Sequence, residues 1–101
     1  MHNSKQNGPI GRESAEIIGA QALAWVAAEP DRINAFLNLS GLSPAELMAQ
    51  AADPRVLGAV LDYVMTEDSL VMAFCDETGL AYTAPQAARG ALPGGEVWHW
   101  T

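Results

Sequence analysis

From residue 12 onward the chain repeats one pattern: apolar residues at helical spacing, then a proline or a glycine, then another apolar set. In the first set Ile18, Ala22, Trp25 and Val26 fall at i, i+4, i+7 and i+8, which places them on one face of a helix. The pattern predicts a helix over residues 12–29. Pro30 stops it and starts the next, because proline breaks a helix interior but suits a first helical position. Residues 30–40 carry Ile33, Phe36, Leu37 and Ser40 on one side, and Gly41 stands where a left-handed C-terminal residue is wanted.

Ser43-Pro44-Ala45-Glu46 reads as a capping box with proline at the first helical position, opening a short third helix that ends near Ala52. Asp53-Pro54 restarts the chain, and residues 54–65 turn Val56, Leu57, Val60, Leu61 and Val64 inward. Thr66 is expected to cap a fifth helix, with Glu67 and Asp68 in its first turn, where the helix dipole favours negative charge. Leu70, Val71, Phe74 and Cys75 form its inner face, and Gly79 closes it. Thr83-Ala84-Pro85-Gln86 reads as a second capping box, for a helix running to about Leu92. Strand-like alternation over four or more residues is not found inside this region. The expected fold is all-α: a compact bundle of five to six short helices with two helix–turn–helix-like corners, spanning residues 12–95. Residues 1–11 are expected to be a disordered leader, a cloning remnant being the alternative, and residues 96–101 a tryptophan-containing tail.

The two corners echo each other. Ala35-Phe36, three residues, Ser40-Gly41-Leu42 matches Ala73-Phe74, three residues, Thr78-Gly79-Leu80. A duplication explains this, and so does convergence of helical corners on one local solution.

Composition narrows the function. The chain has 101 residues, enough for one domain, and 50% of them are hydrophobic, enough for a core. Twelve acidic residues against five basic ones give a net charge of −7, which argues against a basic nucleic-acid binder, since duplex contact is driven by cationic counterion release. A single cysteine excludes a disulfide framework or a Cys-rich zinc site and fits a reducing cytoplasm. No apolar run approaches the roughly 18 residues of a membrane span. The N-terminal MHNSKQNGPIGR lacks the apolar stretch of a signal peptide.

Candidate chemistry is sparse. Gly41-Leu42 with Leu47, and Gly79-Leu80 with Thr83, have the spacing of DNA-binding corners. The helix after the first lacks Lys and Arg and carries Glu46, which would repel phosphate; the helix after the second offers Gln86 and Arg89. Plain helical corners are the favoured reading. His2 and His99 lie at opposite ends, so neither a metal site nor a Cys75-histidine nucleophile is expected, and the chain reads as no enzyme and without a cofactor. Met48, Met65 and Met72 suggest a pocket between helices, though methionine at helical spacing is usually core filler.

Two features sit oddly. Asp76-Glu77 falls at a helix C-terminus, where a negative charge costs about 0.3–1 kcal/mol. It is either an ordinary solvated helix end or an answer to a basic partner. The tail places Trp98 and Trp100 on one side of an extended segment. Tryptophan is enriched at interface hot spots, so the pair is read as docking on its own bundle, on a partner or on a second copy. The expected partner-binding residues are therefore Trp98, Trp100, Asp76 and Glu77. They point to a small acidic protein-interaction module or self-associating domain, with a transcription-associated helix–turn–helix protein as the alternative. The partner is a protein or another copy, with no direct nucleic-acid binding and no membrane.

Taken together, Gln21-Ala22-Leu23-Ala24-Trp25, Phe36-Leu37-Asn38-Leu39-Ser40-Gly41-Leu42, Ala52-Asp53-Pro54 with Val60-Leu61-Asp62-Tyr63-Val64, and Ala91-Leu92-Pro93-Gly94-Gly95 carry a resemblance. In their order and spacing the chain resembles a family of short alphaproteobacterial proteins catalogued as a domain of unknown function. The resemblance implies an all-α fold and a cytoplasmic bacterial protein. It brings no activity, ligand or catalytic residue.

Overall fold

The computed structural model describes residues 10–93, and six helices follow one another within them. They are α1 (Arg12–Ala27), α2 (Pro30–Ser40), α3 (Pro44–Ala49), α4 (Pro54–Val64), α5 (Asp68–Thr78) and α6 (Ala84–Gly90). No strand occurs among the described residues, so the fold is all-α. No described helix is long and apolar enough to cross a membrane.

The apolar stripe of α1 faces inward: Ala15, Ile18, Ala22, Trp25 and Val26 are buried. Helix α4 is apolar nearly all round, as a helix enclosed by others must be. Val56, Leu57, Ala59, Val60, Leu61, Tyr63 and Val64 are all buried. Helices α1, α4 and α6 pack on one another, α2 leans on α1 and α4, and α5 rests on the same two. Phe74 brings α5 to the core, with its ring centroid 5.7 Å from that of Trp25, and Phe36 meets Tyr63 edge-on at 6.1 Å.

One contact sets how closely α1 and α4 approach. A Cβ at Gly19 would lie 2.8 Å from Leu57 Cβ, so the crossing exists only because Gly19 has no side chain. On the other side of α4, a Cβ at Gly58 would lie 3.0 Å from Arg89 Nη1. Arg89 Nε donates to Asp62 Oδ1 at 2.9 Å and Nη1 to the Leu92 carbonyl at 3.3 Å, which ties α6 to α4.

Helix ends follow the punctuation with five corrections. The Ser43–Glu46 capping box is present in both directions, with Glu46 N–H donating to Ser43 Oγ at 3.1 Å and Ser43 N–H to Glu46 Oε1 at 2.9 Å. Helix α1 ends at Ala27 because Glu29 is extended ahead of Pro30. Helix α3 ends at Ala49, and residues 50–52 turn the chain so that Asp53 can cap α4, its carboxylate accepting from Arg55 N–H at 2.9 Å. Thr66 does not cap α5. Its hydroxyl turns back to the Tyr63 carbonyl at 2.7 Å, and Glu67 takes the N-cap position. The second capping box is absent. A cap side chain reaches the free amides from an extended backbone, and Thr83 is helical at φ −85°, ψ −9°. Helix α6 also stops at Gly90, two residues short of the expected end.

The echoed corners share local geometry and diverge in packing. Gly41 and Gly79 adopt φ of +78° and +76°, a region that costs other residues roughly 1 kcal/mol or more. Each follows a helix with a fully buried phenylalanine and precedes a half-buried leucine. Beyond the corner, α3 buries only Leu47, whereas α6 inserts Pro85 and Ala88 against α1 and α4.

Gly19→Ala is expected to destabilise the domain by on the order of 1–2 kcal/mol in urea unfolding, the overpacking cost exceeding the helix-propensity gain of about 1 kcal/mol. Gly58→Ala is expected to cost less, because the neighbour is a side-chain end. A stabilised Gly19→Ala variant would show that α1 and α4 separate freely. Trp25→Ala, at a site 6% exposed, is expected to cost about 3–5 kcal/mol.

Candidate functional site

Asp76 and Glu77 lie exposed in the last turn of α5. Gly79 then reverses the chain and brings Tyr82 back beside that turn. The Tyr82 hydroxyl donates to Asp76 Oδ1 at 2.7 Å. Tyr82 is 52% exposed and forms part of a groove of about 420 Å³ between α5 and α6. Met65, Asp68, Val71, Met72 and Gln86 complete its lining. Two features that were separate along the chain thus meet through Tyr82: the methionines Met65 and Met72, and Asp76 of the acidic pair, while Glu77 lines no part of the groove. Met48 does not join them. It stands on α3 at 81% exposure and lines no part of this groove. Trp98 and Trp100 lie outside the described residues.

The charge around the groove is one-sided. Glu67, Asp68, Asp76 and Glu77 belong to α5 or its cap, and no Lys or Arg occurs between them. The ion pairs among the described residues are Arg12–Glu16, Arg55–Asp53 and Arg89–Asp62, and none involves these four carboxylates. Arg32 is also occupied. Its guanidinium lies 3.8 Å from the Trp25 ring centroid and donates to the Trp25 carbonyl at 2.9 and 3.2 Å. Every described basic residue therefore serves the fold itself.

This setting holds protons on nearby groups. The hydrogen bond to Asp76 raises the Tyr82 phenol above its ordinary value, with its carboxylate charge acting in the same direction. Burial, with help from Asp76, raises the Cys75 thiol, whose Sγ lies 3.4 Å from the Ala81 carbonyl. Burial also raises Tyr63, against the opposing charge of Arg32. A raised thiol pKa leaves little thiolate, so Cys75 is a poor nucleophile as placed.

A second, larger groove of about 580 Å³ runs along the outer face of α1, past Ile17, Ala20 and Ala24 to the turn at Ala51 and Ala52. Among the described residues no three His, Cys, Asp or Glu side chains gather in a way that could hold a metal ion. The α2–α3 corner presents Pro44, Ala45, Glu46, Met48 and Ala49 to solvent, with no cation. The sequence named Asp76 but missed Tyr82. Its signal was available: an aromatic residue just past a glycine corner, within reach of the helix end that the glycine closes.

Residues 12–95 match the family described as a protein of unknown function (DUF3572), and the chain belongs to that family. Neither curated proteins nor solved structures gave a match to the chain.

Asp76→Ala is expected to lower the Tyr82 phenol back toward its ordinary value of 10.0, as read by ultraviolet titration against a Tyr82→Phe blank. An unchanged curve would mean that the hydrogen bond does not persist in solution. Alkylation of Cys75 below about pH 9 is expected to be slow and to accelerate with denaturant in parallel with unfolding. Fast labelling of the native protein would place the thiol at the surface.

Proposed function

We propose that the domain is a non-enzymatic, cytoplasmic protein-interaction module whose α5–α6 groove receives a basic amphipathic segment of another protein. The observation that carries this reading is the Tyr82–Asp76 hydrogen bond, which joins an apolar groove to a carboxylate that forms no ion pair among the described residues. Met65 and Met72 offer flexible, polarisable contacts that suit an incoming apolar helix face. Asp68 within the groove, and Glu67, Asp76 and Glu77 at the two ends of α5, suit Lys or Arg flanking that face. The same carboxylates disfavour a phosphate backbone.

The probe is a synthetic helical peptide with leucines on one face and lysines flanking it, titrated into the full chain and followed by calorimetry. Binding is expected to weaken as salt rises, and the Asp68→Asn/Asp76→Asn double variant is expected to lose about three- to tenfold in affinity. A peptide with glutamate in place of lysine is expected not to bind. Equal binding of both peptides, or salt-dependent retention of duplex DNA on a filter, would overturn the reading.

Trp98 and Trp100 are proposed as a second anchor, on the strength of the sequence alone. Removing residues 96–101 is expected to reduce capture of a partner while leaving the unfolding midpoint unchanged. A stability loss above about 2 kcal/mol without a change in association would instead assign the tail to the core.

A further inference from the structure

We propose that residues 1–9 of this chain fold back over α6 and occupy the α5–α6 groove, with Lys5 set against Asp68, in competition with the basic segment of another protein. The competition rests on the reading given to that groove; the contact of the leader with it does not.

The first described residues point to this occupant. Gly11 is extended at φ −73°, ψ 164° and carries the chain off the axis of α1. Ile10, which falls within the segment expected to be a disordered leader, is half-buried and packs against the core. It lines a third groove, of about 530 Å³, whose other wall is one face of α6 and its ends: Thr83, Gln86, Ala87, Gly90 and Ala91. Gly90 leaves that wall open, since a Cβ there would meet nothing within 4 Å. Gln86 also lines the α5–α6 groove, so the two grooves adjoin at one side chain. The chain preceding Ile10 thus starts inside one groove and beside the other.

Length and charge fit the same path. From Ile10 to Lys5 an extended chain reaches about 17 Å, and the outer face of α6 from Thr83 to Ala91 is about 12 Å long. All 12 acidic residues of the chain lie beyond residue 11, whereas residues 1–9 hold His2 and Lys5, the single lysine. Asp68 lines the groove and Asp76 accepts from its Tyr82, and neither forms an ion pair among the described residues. The other terminus carries Glu96, whose charge opposes entry into an acidic groove. One exposed ion pair holds a segment weakly. Tethering at Ile10 offsets this by presenting the leader at an effective concentration in the millimolar range. The leader therefore fills the groove part of the time and yields to a partner with several lysines.

A spin label on Ser4→Cys in the full chain tests the contact by NMR. Cys75 is 1% exposed, so the label goes to the new thiol. The methyl signals of Met65 and Met72 are expected to broaden more than that of Met48, which is 81% exposed on α3. Lys5→Glu is expected to weaken this broadening, and Asp68→Lys added to it is expected to restore it. Equal broadening at Met48 and Met72, or no response to Lys5→Glu, overturns the contact. The lysine-flanked peptide tests the competition. Deleting residues 1–9 is expected to tighten its binding about two- to fivefold, the change for a groove open about one half to one fifth of the time. Equal binding to both chains overturns this proposal and leaves the reading of the groove standing. Binding to neither overturns that reading and the competition with it, while the broadening still decides the contact. Tighter binding on removal of residues 94–101 in place of 1–9 would make the tail the occupant and overturn the proposal.

Discussion

The closeness of α1 to α4 at Gly19 is the constraint on which the rest of the packing depends. A side chain there would collide with Leu57 Cβ at 2.8 Å, so the absence of an atom fixes the separation of the two helices. With that distance set, the paired helices make a trough into which α6 drops Pro85 and Ala88, and Leu92 just beyond the helix is buried as well. The neighbouring Gly58 serves the other side of α4, where it leaves room for the Arg89 guanidinium. That guanidinium lies on a side chain only 12% exposed. An ion pair so placed gains more from its partner than a surface pair does, but it must also offset the loss of hydration. Two acceptors, Asp62 and the Leu92 carbonyl, make that balance workable and tie the last described helix to the central one.

The same use of arginine shapes the exterior. Arg89 is drawn into the α4–α6 contact, and Arg32 folds over Trp25 and closes the carbonyl end of α1. Arg12 and Arg55 remain at the surface beside carboxylates of their own helix or its cap. What is left outward is acid, concentrated on α5. That helix buries only Phe74 and Cys75 fully, so it meets the core over a narrow strip and leaves most of its circumference to solvent. The acidic helix end that looked unfavourable from its dipole is thus part of a surface completed by Tyr82 from the turn, Met65 from the end of α4, Met72 from α5 itself and Gln86 from α6.

Much of this was legible in the residue order, for reasons that vary by residue. Trp25, Val26, Phe36, Val60 and Phe74 could be placed in the core because 3.6-residue periodicity survives in short helices and proline and glycine mark their ends. Thr83 was misread as a cap because capping requires an extended backbone as well as a hydroxyl, and Thr66 because α5 starts one residue later than expected, leaving its hydroxyl to the Tyr63 carbonyl. The end of α3 was overextended because Ala51 and Ala52 favour helix locally, while the turn there is imposed by the need to start α4 at Pro54. Of the site, Asp76 could be named from its charge at a helix end. Its contact with Tyr82 depends on a left-handed turn and on where α6 sits. Gly19 was unreadable for a simpler reason: a glycine within a helix says that something is close, but not what.

Both open faces have one origin. A single helix, α4, occupies the centre, and α1, α2, α5 and α6 pack on it. Each covering helix turns only part of its circumference inward, from six buried residues on α1 to Phe36 alone on α2. The outward remainder is unremarkable when it is polar and evenly charged, as on α2. On α1 it is apolar from Ile17 to Ala27, with Glu13 and Glu16 at its N-terminal end; on α5 it is partly apolar and wholly acidic. An apolar strip of small residues selects by shape, so close packing decides what fits it. An acidic rim around methionines selects by charge, so salt decides how tightly its ligand is held. One small fold can therefore present two surfaces that do not compete, because the physical quantity each responds to is different.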